Sequence, residues 1–114
     1  MQREVKFREE KDTLTATLPG DIDHHAARRI REKIDSRIFG LAPKLLTLDF
    51  SEVGFMDSSG IGLIIGRAEL MASVGGAVRI INPSTTIMRL IMLSGIERIK
   101  NLELIPGTYH ARCI

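Results

Sequence analysis

Three times in this chain a strand-length apolar run gives way, across a short turn, to apolar residues at three- and four-residue spacing. Strands joined through helices pair in parallel with right-handed connections, so this rhythm restricts the chain to the α/β class. Thr13-Leu14-Thr15-Ala16-Thr17-Leu18 alternates polar and apolar residues, the mark of a strand with one buried face. Val5 and Phe7 fall in a preceding strand, Glu9 to Asp12 is the expected hairpin turn, and Pro19-Gly20 stops the second strand. Asp23 is the expected N-cap of a first helix, because its carboxylate can accept from the unsatisfied amides of the next turn. Ala27, Ile30, Ile34 and Ile38 form that helix's apolar stripe, Arg28, Arg29, Arg31, Glu32 and Lys33 its wet side, and Gly40 with Pro43 its exit. Leu45 to Phe50 reads as a central strand. From Ser58 a second helix follows, striped by Ile61, Ile64, Ile65, Ala68 and Met71 and ended by Gly75-Gly76. Ala77 to Ile81 is another buried strand. Pro83-Ser84 opens a third helix with Ile87, Leu90 and Ile91, Gly95 caps it, and Leu102 to Ile105 is a last short strand. The expected fold is one α/β domain over residues 1–114, order ββαβαβαβ, with a mixed, mostly parallel sheet of about five strands packed with helices. Its first strand is antiparallel at one side.

Composition removes several functions. With 114 residues, 44% of them apolar, the chain buries a core without metal or disulfides. The lone Cys113 suits a reducing cytoplasm. Sixteen Lys and Arg against fourteen Asp and Glu leave only +2, and with one tyrosine and no tryptophan the stacking signature of a nucleic-acid binder is missing. The longest apolar stretch, Ser58 to Gly66, lies between Asp57 and Arg67, far short of the ~20 residues that span a bilayer. Met1-Gln2-Arg3-Glu4 carries acid and no apolar core, so no signal peptide is expected.

Two segments could carry function. Phe55-Met56-Asp57-Ser58-Ser59-Gly60 joins the central strand to the second helix and sets Ser58 and Ser59 where free amides and the positive end of the helix dipole converge. The plainer reading is a serine N-cap. The Gly-x-Ser-x-Gly of hydrolases is absent, with Asp57 and Ser59 as the neighbours of Ser58, and no Gly-Lys-Ser or Gly-Lys-Thr of a P-loop occurs. Gly20-Asp21-Ile22-Asp23-His24-His25 crowds carboxylates and imidazoles together, but adjacent histidines at a helix start point about 100° apart and the third, His110, lies in the tail. A solvated helix terminus is expected there, with no metal and no cofactor. Both segments are strand-to-helix junctions, so they share one edge of a parallel sheet. Asp21, Asp23 and Asp57 then make an acidic rim around Ser58, suited to a basic partner. On the second helix, Leu63, Leu70, Gly62 and Gly66 lie off the expected stripe, either as a partner contact or as a face that neighbouring elements wrap. Met88 and Met92 read as core filler.

Gly-Asp-Ile-Asp-His-His from Gly20, Leu-Asp-Phe-Ser-Glu-Val-Gly-Phe-Met-Asp-Ser-Ser-Gly-Ile-Gly from Leu48, and Leu-Ile-Met-Leu-Ser-Gly-Ile from Leu90 together resemble the anti-sigma factor antagonists of the STAS family, the sporulation branch above all. The resemblance runs from about Val5 to Ile105. It implies a cytoplasmic switch in transcription regulation, not an enzyme. In that family the unphosphorylated antagonist binds an ATP-bound anti-sigma factor, which releases its sigma factor. That partner is also a serine kinase, and it inactivates the antagonist by phosphorylating the motif's first serine, here Ser58. A serine phosphatase restores the free form. By the same match Gly20, Asp21 and Asp23 belong to the docking loop, Asp57 and Ser59 flank the acceptor, and Gly60 lets the chain turn into the helix. Leu63 is the expected extension of the interface along the second helix. Pro19-Gly20-Asp21 departs from the Thr-Gly-Glu type of sequence more frequent in the family, with the charge at Asp21 kept. The alternatives are a STAS module of another system, such as a stress-signalling scaffold or transporter-associated subunit, and a small serine-dependent enzyme, for which no histidine is placed as base.

Overall fold

The structure is a computed structural model that describes residues 3–106; Met1, Gln2 and the tail with His110 and Cys113 lie outside the described residues. Its elements are β1 (Lys6–Glu10), β2 (Thr13–Thr17), α1 (His24–Leu41), β3 (Leu45–Asp49), α2 (Ser58–Ser73), β4 (Ala77–Ile81), α3 (Thr85–Ser94) and β5 (Leu102–Leu104). The five strands lie in the order β1-β2-β3-β4-β5, the first pair antiparallel and the rest parallel. Because each crossover moves one strand along in the same direction, right-handed connections carry the helices to a single face of the sheet.

The register sorts the side chains accordingly. Ala16, Leu48, Ile80 and Leu104 stand in one row across the sheet, and Thr15, Thr47, Arg79 and Glu103 in the next. The first row faces the helices, where Ala16, Leu48 and Ile80 are fully buried. The second belongs to the opposite face, which no helix of the described residues covers; of that row only Thr47, hemmed in at the centre, is buried. Ile30, Ile34 and Ile38 from α1, Ile64, Ala68 and Met71 from α2, and Ile87 and Ile91 from α3 complete the core.

Several local expectations change. β1 runs on through Glu10, so the hairpin closes in two residues with Lys11 at φ 53°. Gly40 does not end α1, which continues to Leu41 and stops with Ala42 in the left-handed region, because Pro43 bars its predecessor from right-handed helix. Met92 is half-exposed on α3 and fills no core. An unforeseen 3-10 turn, Ile96–Arg98, tucks Ile96 inward before β5. No helix of the described residues is long and apolar enough to cross a membrane.

Candidate functional site

The carboxyl ends of β2 and β3 lead into α1 and α2 through two loops that are stitched together. The Ile22 amide donates to the Phe55 carbonyl at 2.9 Å, and the Asp57 amide donates to the Ile22 carbonyl at 3.1 Å, forming a parallel bridge between Ile22 and Met56. Both bridge side chains point inward, Ile22 fully buried and Met56 4% exposed. Strand alternation therefore turns their neighbours outward, and Asp21, Asp23 and Phe55 are exposed. One backbone clasp thus builds the rim.

Asp23 and Asp57 end the two loops in nearly the same conformation, φ −96° and ψ −174° against φ −98° and ψ −169°. Each caps its helix: Asp23 Oδ1 accepts from the Ala26 amide and Asp57 Oδ1 from the Ser59 amide, both at 2.8 Å. The Ala26 amide holds the Asp23 carboxyl below its ordinary value of 3.8 against a smaller opposing effect of desolvation, and the charge and amide of His25 and the charge of His24 add lesser pulls in the same downward direction. So the cap of α2 is Asp57, not a serine. Ser58 occupies the first helical position, exposed, and Ser59 beside it is half-buried.

The glycines act through space and conformation. Gly20 has φ +96°, a region that favours glycine, and a Cβ there would collide with the Arg3 guanidinium. Arg3 also approaches Glu52 at 4.0 Å, so the chain before β1 lies over the loop that leads into α1. That role was invisible in sequence, since it joins residues from three separate segments. Gly60 lies inside α2 without a positive φ, and a Cβ would meet Met56 Cγ and Sδ. Its function is therefore close approach to the clasp, a correction to the expected turn into the helix. Across the rim, a Cβ on Gly54 would stand 3.5 Å from Asp21 Oδ1, which puts Asp21 against the loop that carries Phe55.

Two further expectations are corrected here. Leu63 is 4% exposed and belongs to the core, because α1 packs on α2 and wraps the side that the sheet leaves free. The rings of His24 and His25 do not splay apart but lie together, 4.1 Å between centroids with their planes tilted by 34°. Among the described residues no three His, Cys, Asp or Glu side chains gather as metal ligands. Phe55, 54% exposed between Asp21 and Asp57, is the rim residue that sequence reasoning passed over. An aromatic in a strand-to-helix loop was the available signal.

The sequence model of the STAS domain matches residues 4–107. The anti-sigma F factor antagonist of Lysinibacillus sphaericus is 36% identical over 86 residues, 75% of this chain and 74% of its own. Among solved structures, the anti-sigma factor antagonist SpoIIAA in its unphosphorylated form superposes with a TM-score of 0.78 at 31% identity, covering 96% of this chain and 93% of that one. The phosphorylated form of SpoIIAA, a Bacillus cell fate determinant, gives 0.71 at 31% identity over 96% of both chains.

Proposed function

This chain belongs to the STAS family and to its anti-sigma factor antagonists, and from that premise we propose that it is a switch read at the rim of Ser58. The unphosphorylated protein binds an ATP-bound anti-sigma factor through Asp21, Asp23, Asp57 and Ser59, with Gly20 and Gly60 shaping the loops, and a sigma factor is released. The same partner then acts as a kinase: the Ser58 hydroxyl oxygen attacks the γ-phosphorus of ATP, ADP leaves, and the serine proton passes to a base on the kinase. A phosphatase hydrolyses the ester. This cycle runs in the cytoplasm, and the family's role is regulatory rather than catalytic.

The observation that supports this reading most is the exposed Ser58 at the start of α2, with Asp57 as its cap and Asp23 carried alongside by the Ile22–Met56 bridge. A phosphoserine adds about −1.5 to −2 charge at neutral pH. The free amides of the α2 start stabilise part of that charge, so the fold tolerates it. The rim nevertheless becomes far more negative, and two carboxylates repel the phosphate across the surface that a complementary partner must cover. Binding is lost by direct electrostatic block, without refolding.

The test is to incubate the protein with its anti-sigma factor and ATP, and to locate phosphate by mass spectrometry. One phosphate on Ser58 is expected, absent from Ser58→Ala. Ser58→Ala should bind as tightly as the unmodified protein and stay active, whereas Ser58→Asp should bind at least about tenfold more weakly. Equal affinity of the two variants would remove the electrostatic block.

A further inference from the structure

Beside the acidic rim, α1 and α2 part to leave an open groove of about 480 Å³. His24 and Ser59 form its mouth, Arg28 and Arg31 line the α1 wall, and Arg67 lies at the α2 side. Gly62 and Gly66 keep that wall low, since a Cβ added at either meets nothing within 4 Å.

Arg67 is the unusual member. It is 6% exposed, a rare burial for arginine. Its Nε lies 2.9 Å from Asp35 Oδ1, yet neither atom has the alignment of a hydrogen bond, and its Nη1 has no hydrogen-bond partner among the described residues. A buried guanidinium with unused donors is costly unless something else occupies them. Among the described residues Asp35 is the one acid paired with it, and the rest of the groove adds cations. Arg28 pairs only loosely with Glu32, at 3.9 Å and well exposed, and Arg31 adds a second cation whose charge opposes that of Arg67. Facing three guanidiniums, the helices supply Asp35 and Glu32.

We infer that this groove seats an acidic segment of the anti-sigma factor, with an Asp or Glu carboxylate against Arg31 and Arg67, as a second contact beside the one at the Ser58 rim. The inference rests on the proposed function. Charge complementarity carries it, and so does continuity, because Ser59 and His24 border both the rim and the groove. A wide, shallow groove between two helices admits side chains from a protein surface, whereas a small-molecule site encloses most of its ligand. The partner's footprint is then dipolar: cations over Asp23 and Asp57, carboxylates over Arg31 and Arg67.

The experiment measures the affinity of the anti-sigma factor for the full-length protein, for Arg31→Glu and Gly66→Leu in the groove, and for Asp23→Ala at the rim. Gly66→Leu fills open space on a helix and should melt no lower than the parent, since glycine is the poorer helix former by up to ~1 kcal/mol. Each groove substitution is expected to weaken binding about tenfold, and Arg31→Glu to flatten its salt dependence. If Asp23→Ala weakens binding and both groove variants bind like the parent, the function stands and the groove inference falls. If the parent does not bind the anti-sigma factor, both fall. Titration with inorganic phosphate supplies the remaining arm. Phosphate binding that needs Arg31 but does not compete with the anti-sigma factor would make the groove a small-anion site and overturn the inference.

Discussion

The starts of α1 and α2 are built alike and used differently. Both come after a parallel strand, both are capped by an aspartate in extended conformation, and the Ile22–Met56 bridge holds them side by side. Behind the caps they diverge. Asp23 reaches the amide three residues on and is succeeded by two adjoining imidazoles; Asp57 reaches the amide two residues on and is succeeded by two serines. Three residues after each cap stand Ala26 and Gly60, and only at Gly60 is there no room for a methyl group, because Met56 presses against it. Capping chemistry makes a helix start, and the residues behind the cap decide its use. At α1 the neighbours stabilise the cap's charge, and at α2 they leave a hydroxyl facing solvent.

Gly60→Val attacks the difference hardest. The branched side chain must displace Met56 from beneath the bridge, a cost of about 2 kcal/mol by overpacking, read as a lower urea midpoint with an unchanged slope. Unchanged stability would mean that Met56 repacks freely and that Gly60 serves another purpose.

Asp57→Ala removes a half-buried cap and should cost about 1 kcal/mol in the same assay. Asp57→Asn, which keeps an acceptor, should recover most of that loss, and failure to recover it would point to the charge instead.

The smallest effect sits at Asp23. Its carboxyl titrates below 3.8 in the fold, so its stabilising contribution is complete above 3.8 and fades as pH falls through the folded value. His25→Gln takes away one charge that holds the titration down. A small upward movement of the Asp23 midpoint is expected by NMR, with the 2.8 Å bond to Ala26 preserved. No movement would leave the backbone amides, Ala26 first, and the charge of His24 as the cause.

How much of this was legible beforehand differs between the same two helices. α1 could be read because Ala27, Ile30, Ile34 and Ile38 make one narrow stripe among charges, and all are buried. The facing of α2 could not be read, since Ile61, Leu63, Ile64, Ile65, Leu70 and Met71 leave hardly any polar side. Which of them turn inward is set by α1 packing on α2, a tertiary fact, so Leu63 and Arg67 go under while Ile61 and Ile65 stay partly exposed. The order of strands and helices, the Asp23 cap of α1 and the shared position of the two loops were legible because they arise from local periodicity and turn chemistry, whereas Asp57 took the α2 cap that the sequence offered equally to a serine. Arg3 over Gly20, and the groove beneath Arg31, were not, because they join residues far apart in the chain.

The bridge between the two loops has a consequence for how such chains diversify. Its hydrogen bonds are all backbone, and its two side chains are inside, so beyond the caps at Asp23 and Asp57 the clasp places no demand on the chemistry of Asp21 and Phe55, which precede its two residues. Asp21 and Phe55 are free to drift without cost to the core. On the proposed reading of the rim, a chain of this build can change which partner it meets by exchanging a few exposed residues, on a scaffold that need not change.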